Sequence, residues 1–209
     1  MIEYPSMPNS SKAPRKPCIA FDKLDGSSFR AKWTKKRGFD TYGTRTQLID
    51  STTPFWNKMV EVFVANQKEP LEKFISKEYR DEREIIVFGE FYGPNSFAGR
   101  HDENDNFKIV IFDVLVGHKN RKLVSPKQFV KKFSDIVEIP RVIYEGNLNE
   151  QLIKDVREGK YDVNEGVICK GTEPTGAAFG GTWQCKIKTQ DYLTRLQTVL
   201  GSEWVKYWE

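Results

Sequence analysis

Two lysines near the end of the chain, Lys186 and Lys188, are separated by one apolar residue. Because side chains alternate between the two faces of a β-strand, this spacing would put both ammonium groups on one face. A third lysine, Lys23, lies far upstream in the tetrapeptide K-L-D-G. Cationic neighbours and partial desolvation lower the pKa of a lysine, which is ~10.4 when unperturbed. The pattern therefore fits a lysine nucleophile at residue 23, activated by the pair further along the chain.

The tetrapeptide at Lys23–Gly26 has a second interpretation, an exposed hairpin turn. Glycine weakens a strand and permits a tight bend, so Lys-Leu-Asp-Gly on its own favours the turn. The following segment FRAKW alternates like a second strand, which predicts a hairpin. Other parts of the chain have to decide between a turn and a reactive lysine.

Four further short signals follow K-L-D-G in order. They are YGTRTQ with Arg45, FGEFYG with Glu90, EGVICK with Glu165 and Lys170, and KIK with Lys186 and Lys188. Each signal is weak alone, since Glu90 would be a solvated strand residue and Glu165 would cap a hairpin. The ordered set outweighs these separate interpretations.

Together the five signals resemble the motifs of the covalent nucleotidyltransferase superfamily, which contains DNA ligases, RNA ligases and messenger-RNA capping enzymes. The resemblance runs from about Phe21 to Lys188, and the segment TYGTRTQLI and the small size of the chain are more similar to the RNA ligase branch. The resemblance implies an α+β nucleotidyltransferase fold, which is an ATP-grasp-like ligase adenylation fold. Two antiparallel sheets flanked by helices would hold the ATP pocket between them.

The resemblance also implies a role for each motif. Lys23 would attack ATP, release pyrophosphate and carry AMP, while Lys186 and Lys188 would grip the α-phosphate. Two ammonium groups there would stabilise charge as pyrophosphate leaves and would disfavour protonation of Lys23. Glu90 would bond the ribose hydroxyls. Phe112, within VIFDV, would stack on the adenine, although a core aromatic is the default interpretation in so apolar a run.

Three polar residues complete the implied site. Arg45 would contact the nucleotide or a 5′-phosphate end, with Arg37 as a rival at a suitable distance after Lys23. Glu165 would help hold Mg²⁺ or Mn²⁺, which suit carboxylate ligands and phosphates, and Asp25 would support the metal or the local turn. The implied reaction is ATP-dependent joining of RNA ends that carry 5′-phosphate and 3′-hydroxyl groups.

Three other functions stay open at this level. A minimal ATP-dependent DNA ligase acting on nicked DNA is the nearest, and a capping-type guanylyltransferase is more distant. A catalytically inert nucleic-acid-binding module of the same fold is the third, and a basic cluster in RAKWTKKR supports it. This basic cluster would track phosphates beside the active site, or it would be a solvated hairpin; it consists of Arg30, Lys32, Lys35, Lys36 and Arg37.

The composition agrees with one charged globular domain. Of the 209 residues, 38% are hydrophobic and 30% are charged, and a net charge of only +4 confines any basic surface to a patch. Three cysteines without a C-x-x-C pair argue against a disulfide framework or a zinc ribbon and favour a reducing, cytoplasmic setting. Since the sequence has no run of ~18 apolar residues, we expect no membrane span.

The elements that must position these residues are mostly strands with helices between them. Residues 1–17 are rich in Pro, Ser and Lys and predict a loose arm, and residues 18–209 predict a single nucleotidyltransferase domain. Helical spacing from Pro54 to about Tyr79 predicts two helices divided at Pro70. Strands are predicted at CIAFDKLDG, FRAKW, EIIVFGEFYG, FKIVIFDVLVG, NEGVICKG and TWQCKIKT.

Only 21 residues follow Lys188. They predict one helix and a Trp-rich tail, so we expect no C-terminal oligonucleotide/oligosaccharide-binding (OB) barrel of the kind that DNA ligases and capping enzymes normally carry there. The chain is then either a minimal ligase or a catalytic domain separated from a larger protein. In both cases a separate accessory domain or protein would assist it.

Overall fold

A computed structural model of the chain describes residues 1–49, 53, 57–94, 104–175 and 181–207. Within these ranges the chain forms two antiparallel sheets and five α-helices. The predicted α+β class and the two-sheet arrangement are confirmed. Neither sheet closes into a barrel among the strands that the structure describes. None of the helices in the described ranges is long and apolar enough to cross a bilayer.

Ten strands build the two sheets in the described part of the chain. In chain order they are β1 (Pro17–Lys23), β2 (Ser27–Thr34), β3 (Gly38–Gly43), β4 (Leu48–Ile49), β5 (Glu84–Tyr92), β6 (Lys108–Val116), β7 (Lys122–Leu123), β8 (Val142–Asn147), β9 (Gly166–Pro174) and β10 (Thr182–Lys188). The four-stranded sheet has the order β10-β9-β1-β8, and the six-stranded sheet has the order β4-β3-β2-β5-β6-β7.

Four of the five helices in the described ranges pack against the sheets, and the fifth packs against the C-terminal segment. They are α1 (Asn57–Asn66), α2 (Lys68–Glu78), α3 (Pro126–Phe133), α4 (Glu150–Arg157) and α5 (Gln190–Leu200). Side chains of α1, α2 and α3 form one core with the six-stranded sheet, and side chains of α4 form a second core with the four-stranded sheet. The cap predicted for α4 is present, because the side chain of Asn149 accepts a hydrogen bond from the Leu152 amide at 2.8 Å.

Strands β5 and β6 are apolar over nearly their whole length because both faces of the six-stranded sheet are covered. On β5, Ile85 and Val87 pack into the core that contains α1 to α3. Ile86 and Phe88 point the other way and pack against residues from the N-terminal segment, including Met1. The run of apolar residues therefore reflects burial on two sides.

The predicted hairpin around K-L-D-G is wrong. Strand β1 pairs with β8 and β9, whereas β2 pairs with β3 and β5, so β1 and β2 belong to different sheets. The tetrapeptide is the passage from one sheet to the other. Lys23 is the last residue of β1 and thus lies at the junction of the two sheets.

The boundary predicted at Pro70 is also displaced. Helix α1 ends at Asn66 and α2 begins at Lys68, so Pro70 lies in the first turn of α2. Proline is tolerated there because the first amides of a helix have no partner within the helix. The chain breaks instead at Gln67, whose side-chain amide donates to the Ile109 carbonyl at 2.9 Å.

The N-terminal segment, predicted as a loose arm, makes specific contacts over its first twelve residues. Ile2 and Tyr4 pack against the six-stranded sheet. The backbone amide of Lys186 donates to the Pro8 carbonyl at 3.0 Å. A short 3₁₀ helix follows at Ser10–Lys12, capped by the side chain of Asn9. The segment therefore touches both sheets.

Candidate active site

A cavity of about 620 Å³ lies between the two sheets. Its walls include six of the residues that the sequence signals mark, namely Lys23, Arg45, Glu90, Phe112, Lys170 and Lys186. These residues come from both sheets and from the loop after β3. A volume of this size is in the range of small-molecule sites.

The register of three neighbouring strands places the lysines. Lys23 on β1 lies opposite Gly166 on β9, and Lys188 on β10 lies opposite the same glycine. Glu165 directly precedes Gly166, so its buried carboxylate stands between the two lysines. One oxygen of Glu165 is 2.6 Å from the Lys23 amine and the other is 3.3 Å from the Lys188 amine.

Gly166 makes this arrangement possible. Its φ of +152° lies in a region that other residues rarely adopt, and a Cβ atom there would be 2.0 Å from the carbonyl oxygen of Ile187. Strands β9 and β10 approach too closely here for any side chain. In the EGVICK signal, the glycine is therefore required by the close approach of the strands, while the glutamate provides the carboxylate.

The surroundings of Lys23 raise the pKa of its amine, contrary to the expectation that Lys186 and Lys188 would lower it. Burial acts to lower this pKa, but the carboxylates of Glu165 and Glu90 outweigh it. The pKa values of Lys186 and Lys188 are lowered, chiefly by burial. In this arrangement Lys23 is held as an ammonium ion, so a nucleophilic role requires its proton to leave.

Lys188 has a further partner from the C-terminal end of the described chain. Its amine donates to the backbone carbonyl of Tyr207 at 2.7 Å. Lys186 instead lines the cavity and is half-buried. Of the two alternating lysines, Lys186 thus faces the cavity, and Lys188 lies behind Glu165.

Glu90 enters the cavity from the six-stranded sheet. It lies on β5 opposite Ser28 of β2, and its carboxylate accepts a hydrogen bond from the backbone amide of Gly26. A Cβ atom at Gly26 would be 2.3 Å from the carbonyl oxygen of Phe91. The glycine of K-L-D-G therefore lets the chain pass close to β5 and reach Glu90.

Burial raises the pKa of Glu90 to about 8, and this makes the stability of the fold depend on pH. The folded protein binds the Glu90 proton more tightly than the unfolded chain, whose glutamates have a pKa near 4.5. The contribution of Glu90 to stability therefore falls as pH rises from about 4.5 to about 8. We expect Glu90→Gln to be more stable, relative to the wild type, at pH 9 than at pH 5, as measured by thermal unfolding.

Glu78→Gln is a matched control with the opposite sign. The ammonium group of Lys132 donates to Glu78 at 2.6 Å and lowers the pKa of that carboxyl. Its contribution is present at neutral pH and is lost as pH falls through the lowered value. Equal pH dependence in the Glu90 and Glu78 variants would contradict the assignment of a raised pKa to Glu90.

A β-bulge places Phe112. On β6, Asp113 lies opposite Phe88 and Ile111 lies opposite Gly89, so Phe112 is the extra residue of the bulge. Bulges re-aim side chains. Here Phe112 lines the cavity while its neighbours Ile111 and Asp113 are both buried.

A buried ion pair beneath Phe112 joins the two sheets. The amine of Lys170, on β9, is 2.7 Å from the carboxylate of Asp113 and donates to the Phe112 carbonyl at 2.8 Å. Both side chains are almost fully buried. A buried charge needs a partner, so this pair fixes the backbone that carries Phe112.

Asp25 is buried near the same lysines. Its carboxylate accepts a hydrogen bond from the Tyr192 hydroxyl at 2.9 Å and contributes to the raised pKa of Lys23. Among the described residues, no group of three or more His, Cys, Asp or Glu side chains is arranged to hold a metal ion. Glu165 and Asp25 would therefore supply only part of a coordination shell.

The two rival arginines lie in different places. Arg45 is exposed, lines the cavity and follows Thr44, whose hydroxyl accepts the Gln47 amide at 3.2 Å. Arg37 is paired with Asp40 at 2.5 Å in the turn between β2 and β3. The geometry favours Arg45 as the residue near the cavity.

The basic cluster was predicted to lie beside the active site, but in the structure its exposed lysines lie away from the cavity. Ser28 lines the cavity near the start of β2, but Lys35, Lys36 and Arg37 follow the far end of the strand. At 3.3 Å per residue, the six residues from Ser28 to Thr34 separate them by about 20 Å. Lys32 lies between these positions and is half-buried.

Arg30, the first residue of the basic cluster, is buried. Its side chain is 3% exposed, and its guanidinium donates to the Met1 carbonyl at 3.3 Å. A phosphate-tracking role needs an exposed cation, so the structure argues against Arg30 in that role. Its position on β2 turns it toward the N-terminal segment.

Several cavity residues escaped sequence reasoning. Tyr4, Ser6 and Met7 belong to the segment predicted as an arm, and no periodicity marks them. Asp22 also lines the cavity, and its position directly before Lys23 is a signal that could have found it. Its carboxylate lies 2.7 Å from the Arg141 guanidinium, yet burial still raises its pKa.

Comparisons with known proteins agree with this geometry. The family model for RNA ligase matches residues 16–188. No curated protein matches the chain. A solved structure of a mutant RNA ligase from Naegleria gruberi, without ligand, is similar with a TM-score of 0.67 and 17% identity, covering 93% of this chain and 58% of that chain.

Two other Naegleria gruberi RNA ligase structures are also similar. A mutant with AMP and Mn has a TM-score of 0.67, and a mutant with ATP and Mn has a TM-score of 0.63; both share 17% identity over 93% of this chain and 58% of theirs. At this identity the likeness shows a shared fold, and the chain spans 58% of the length of these proteins. Because the family model matches most of its residues, the chain belongs to the RNA ligase family.

Proposed function

We propose that the chain is the nucleotidyltransferase domain of an ATP-dependent RNA ligase. The amine of Lys23 attacks the α-phosphorus of ATP, a nitrogen–phosphorus bond forms, and the bond to pyrophosphate breaks. AMP then passes to the 5′-phosphate of an RNA end. Attack by a 3′-hydroxyl on that activated phosphate joins the ends and releases AMP.

One observation carries this proposal. Lys23 stands at the junction of two sheets, in strand register with Lys188, and the carboxylate of Glu165 bridges the two amines. Lys186 lines the same cavity and adds a cation. A nucleophilic amine, a carboxylate that orients it and cations for a phosphate thus converge.

The remaining walls fit a nucleotide. Glu90, held by the Gly26 amide, would accept hydrogen bonds from the ribose hydroxyls. Phe112, displayed by its bulge, would stack on the adenine. Arg45 would reach the phosphates or the 5′-phosphate of the RNA. ATP and AMP in the structures of the Naegleria ligase support a nucleotide in this pocket.

The site also suits Mg²⁺ or Mn²⁺, because two residues with hard carboxylate oxygens, Glu165 and Asp25, lie near Lys23. Glu165 and Asp25 would contribute ligands, with the rest from phosphates and water, as Mg²⁺ normally prefers. A divalent cation would supply charge stabilisation for the phosphates. On binding the cation, Glu165 would give up its ion pair with Lys23. Loss of that ion pair would favour the neutral form of the Lys23 amine.

RNA is the proposed acceptor because the chain belongs to the RNA ligase family. Nicked DNA is the rival acceptor. Since the chain spans 58% of the Naegleria ligase, an accessory domain or protein that helps to capture RNA is part of the proposal.

The decisive experiment incubates the protein with Mg²⁺ and either ATP or GTP and measures intact mass. We expect one adenylyl adduct with ATP, located by peptide mapping at Lys23, and none with GTP. An adduct with GTP alone would favour a capping-type enzyme, and RNA binding without any adduct would favour an inert module. Ligation assays with nicked RNA and nicked DNA in parallel then separate the two acceptors.

A further inference from the structure

We propose that the N-terminal residues Tyr4–Met7 form a wall of the nucleotide pocket and that Tyr4 is the positioning residue that anchors this wall. The inference rests on the proposed function, since it assigns the occupant of the cavity as a nucleotide. Tyr4, Ser6 and Met7 line the same cavity as Lys23 and Phe112. This segment was predicted as a loose arm.

The ring of Tyr4 packs edge-on against two phenylalanines of the six-stranded sheet. Its centroid is 5.0 Å from that of Phe88 and 5.1 Å from that of Phe112, with interplanar angles of 65° and 84°. Edge-to-face contacts at this distance are favourable and directional. Tyr4 therefore restrains the ring proposed to stack on the adenine.

The hydroxyl of Tyr4 ties the segment to both sheets. It donates to the carboxylate of Asp113, on the six-stranded sheet, and lies 2.7 Å from the side-chain amide of Gln184, on the four-stranded sheet. Asp113 is also the partner of Lys170, so Tyr4 joins a buried charged network. A hydrogen bond to a charged acceptor is stronger than one between neutral groups.

A second anchor lies at the phosphate end of the pocket. The Pro8 carbonyl accepts the backbone amide of Lys186 at 3.0 Å, and Asn9 forms an isolated bridge with the same residue. The segment between Tyr4 and Pro8 thus runs from Phe112 to Lys186. With both ends held, residues 5–7 form one side of the cavity.

This geometry predicts that the segment touches bound nucleotide. Photolabelling the full chain with 2-azido-ATP and with 8-azido-ATP tests the contact, because trypsin releases residues 1–12 as one peptide. We expect label on peptide 1–12 with at least one probe, and excess ATP should prevent it. Label on peptide 109–119, which contains Phe112, but none on 1–12 with either probe would overturn the inference and leave the proposed function standing.

Variants of Tyr4 test its positioning role. For Tyr4→Leu we expect the KM for ATP in adduct formation to rise about tenfold with kcat changed less than about threefold, because a wall acts on binding more than on chemistry. Tyr4→Phe keeps the ring and should recover part of the loss. Tyr144→Phe is the matched control, since its hydroxyl donates within its own strand, to the Asn147 carbonyl at 3.1 Å.

The outcomes separate the two proposals. An unchanged KM for ATP in Tyr4→Leu, with an adduct still formed, would contradict the role of Tyr4. Equal losses of kcat and of thermal stability without a change in KM would indicate a purely structural tyrosine and would also contradict it. Failure of the wild type to form any adduct would instead remove the proposed function.

Discussion

Replacing Lys23 with arginine is expected to abolish the adenylyl adduct and to lower ATP-dependent RNA joining by about 10⁴-fold or more. Arginine keeps the positive charge beside Glu165, which lies 2.6 Å from the lysine amine. A guanidinium cannot lose its proton in a protein, so it offers no nucleophile. The variant therefore separates the charge of residue 23 from its chemistry.

Intact-mass measurement with ATP and Mg²⁺ reads the first step directly. RNA that already carries AMP on its 5′-phosphate supplies the control, because its joining no longer needs the lysine. We expect Lys23→Arg to join this activated RNA while failing with ATP. Lys77→Ala, at an exposed lysine in the last turn of α2, should keep both activities.

An adduct of normal stoichiometry on the Lys23→Arg protein would contradict the assigned nucleophile. Loss of joining on both substrates, together with a lowered unfolding temperature, would mean that the substitution damages the fold. Lys23→Ala then serves as the second variant, since it removes the side chain without placing a larger group in the junction.

The sequence predicted which motif residues lie together better than it predicted the strands that support them. Lys23, Glu165 and Lys188 were recognised as parts of an ordered motif set, and strand register brings them together around Gly166. Local alternation is visible in a sequence, and so is a motif order. Both can be read along the chain without knowing which strands pair.

The pairing of β1 was not visible in the same way. A local pattern predicted a hairpin with β2, but the partners of β1 are β8 and β9, more than a hundred residues away. Partners at such a distance leave no trace in the spacing of a short segment. The bulge at Phe112 is similar, since it exists only in relation to β5.

The charge state of Lys23 shows a different limit. Two downstream lysines predicted a lowered pKa, but the carboxylates of Glu165 and Glu90 outweigh burial and raise it. Glu165 was already in the predicted site as a metal ligand. What the sequence did not show is that the same carboxylate bridges both amines.

Glu165→Gln is expected to slow formation of the adenylyl adduct by about 10²-fold at neutral pH, even though it lowers the pKa of Lys23. If Glu165 only trapped the lysine as an ammonium ion, its removal would speed the reaction. We expect the opposite, because its carboxylate orients both Lys23 and Lys188 and is the proposed ligand of the divalent cation.

The pH profile distinguishes these two effects. In the wild type, at pH values below the raised pKa of Lys23, each rise of one pH unit makes the neutral amine about ten times more abundant. The rate of adduct formation should therefore rise with pH. In Glu165→Gln the pKa of Lys23 falls, and the rising limb should move to lower pH. A slower reaction with an acid-shifted profile is the expected signature.

Glu165→Asp is the matched control, because it keeps the charge on a shorter side chain. It should retain the wild-type position of the rising limb and lose less activity than Glu165→Gln, and extra Mg²⁺ should restore part of its rate. In the glutamine variant the buried Lys188 loses its charged partner. The unfolding temperatures of both variants show how much stability this loss costs. A Glu165→Gln protein faster than the wild type at pH 7 would show that this carboxylate restrains the lysine and does not assist it.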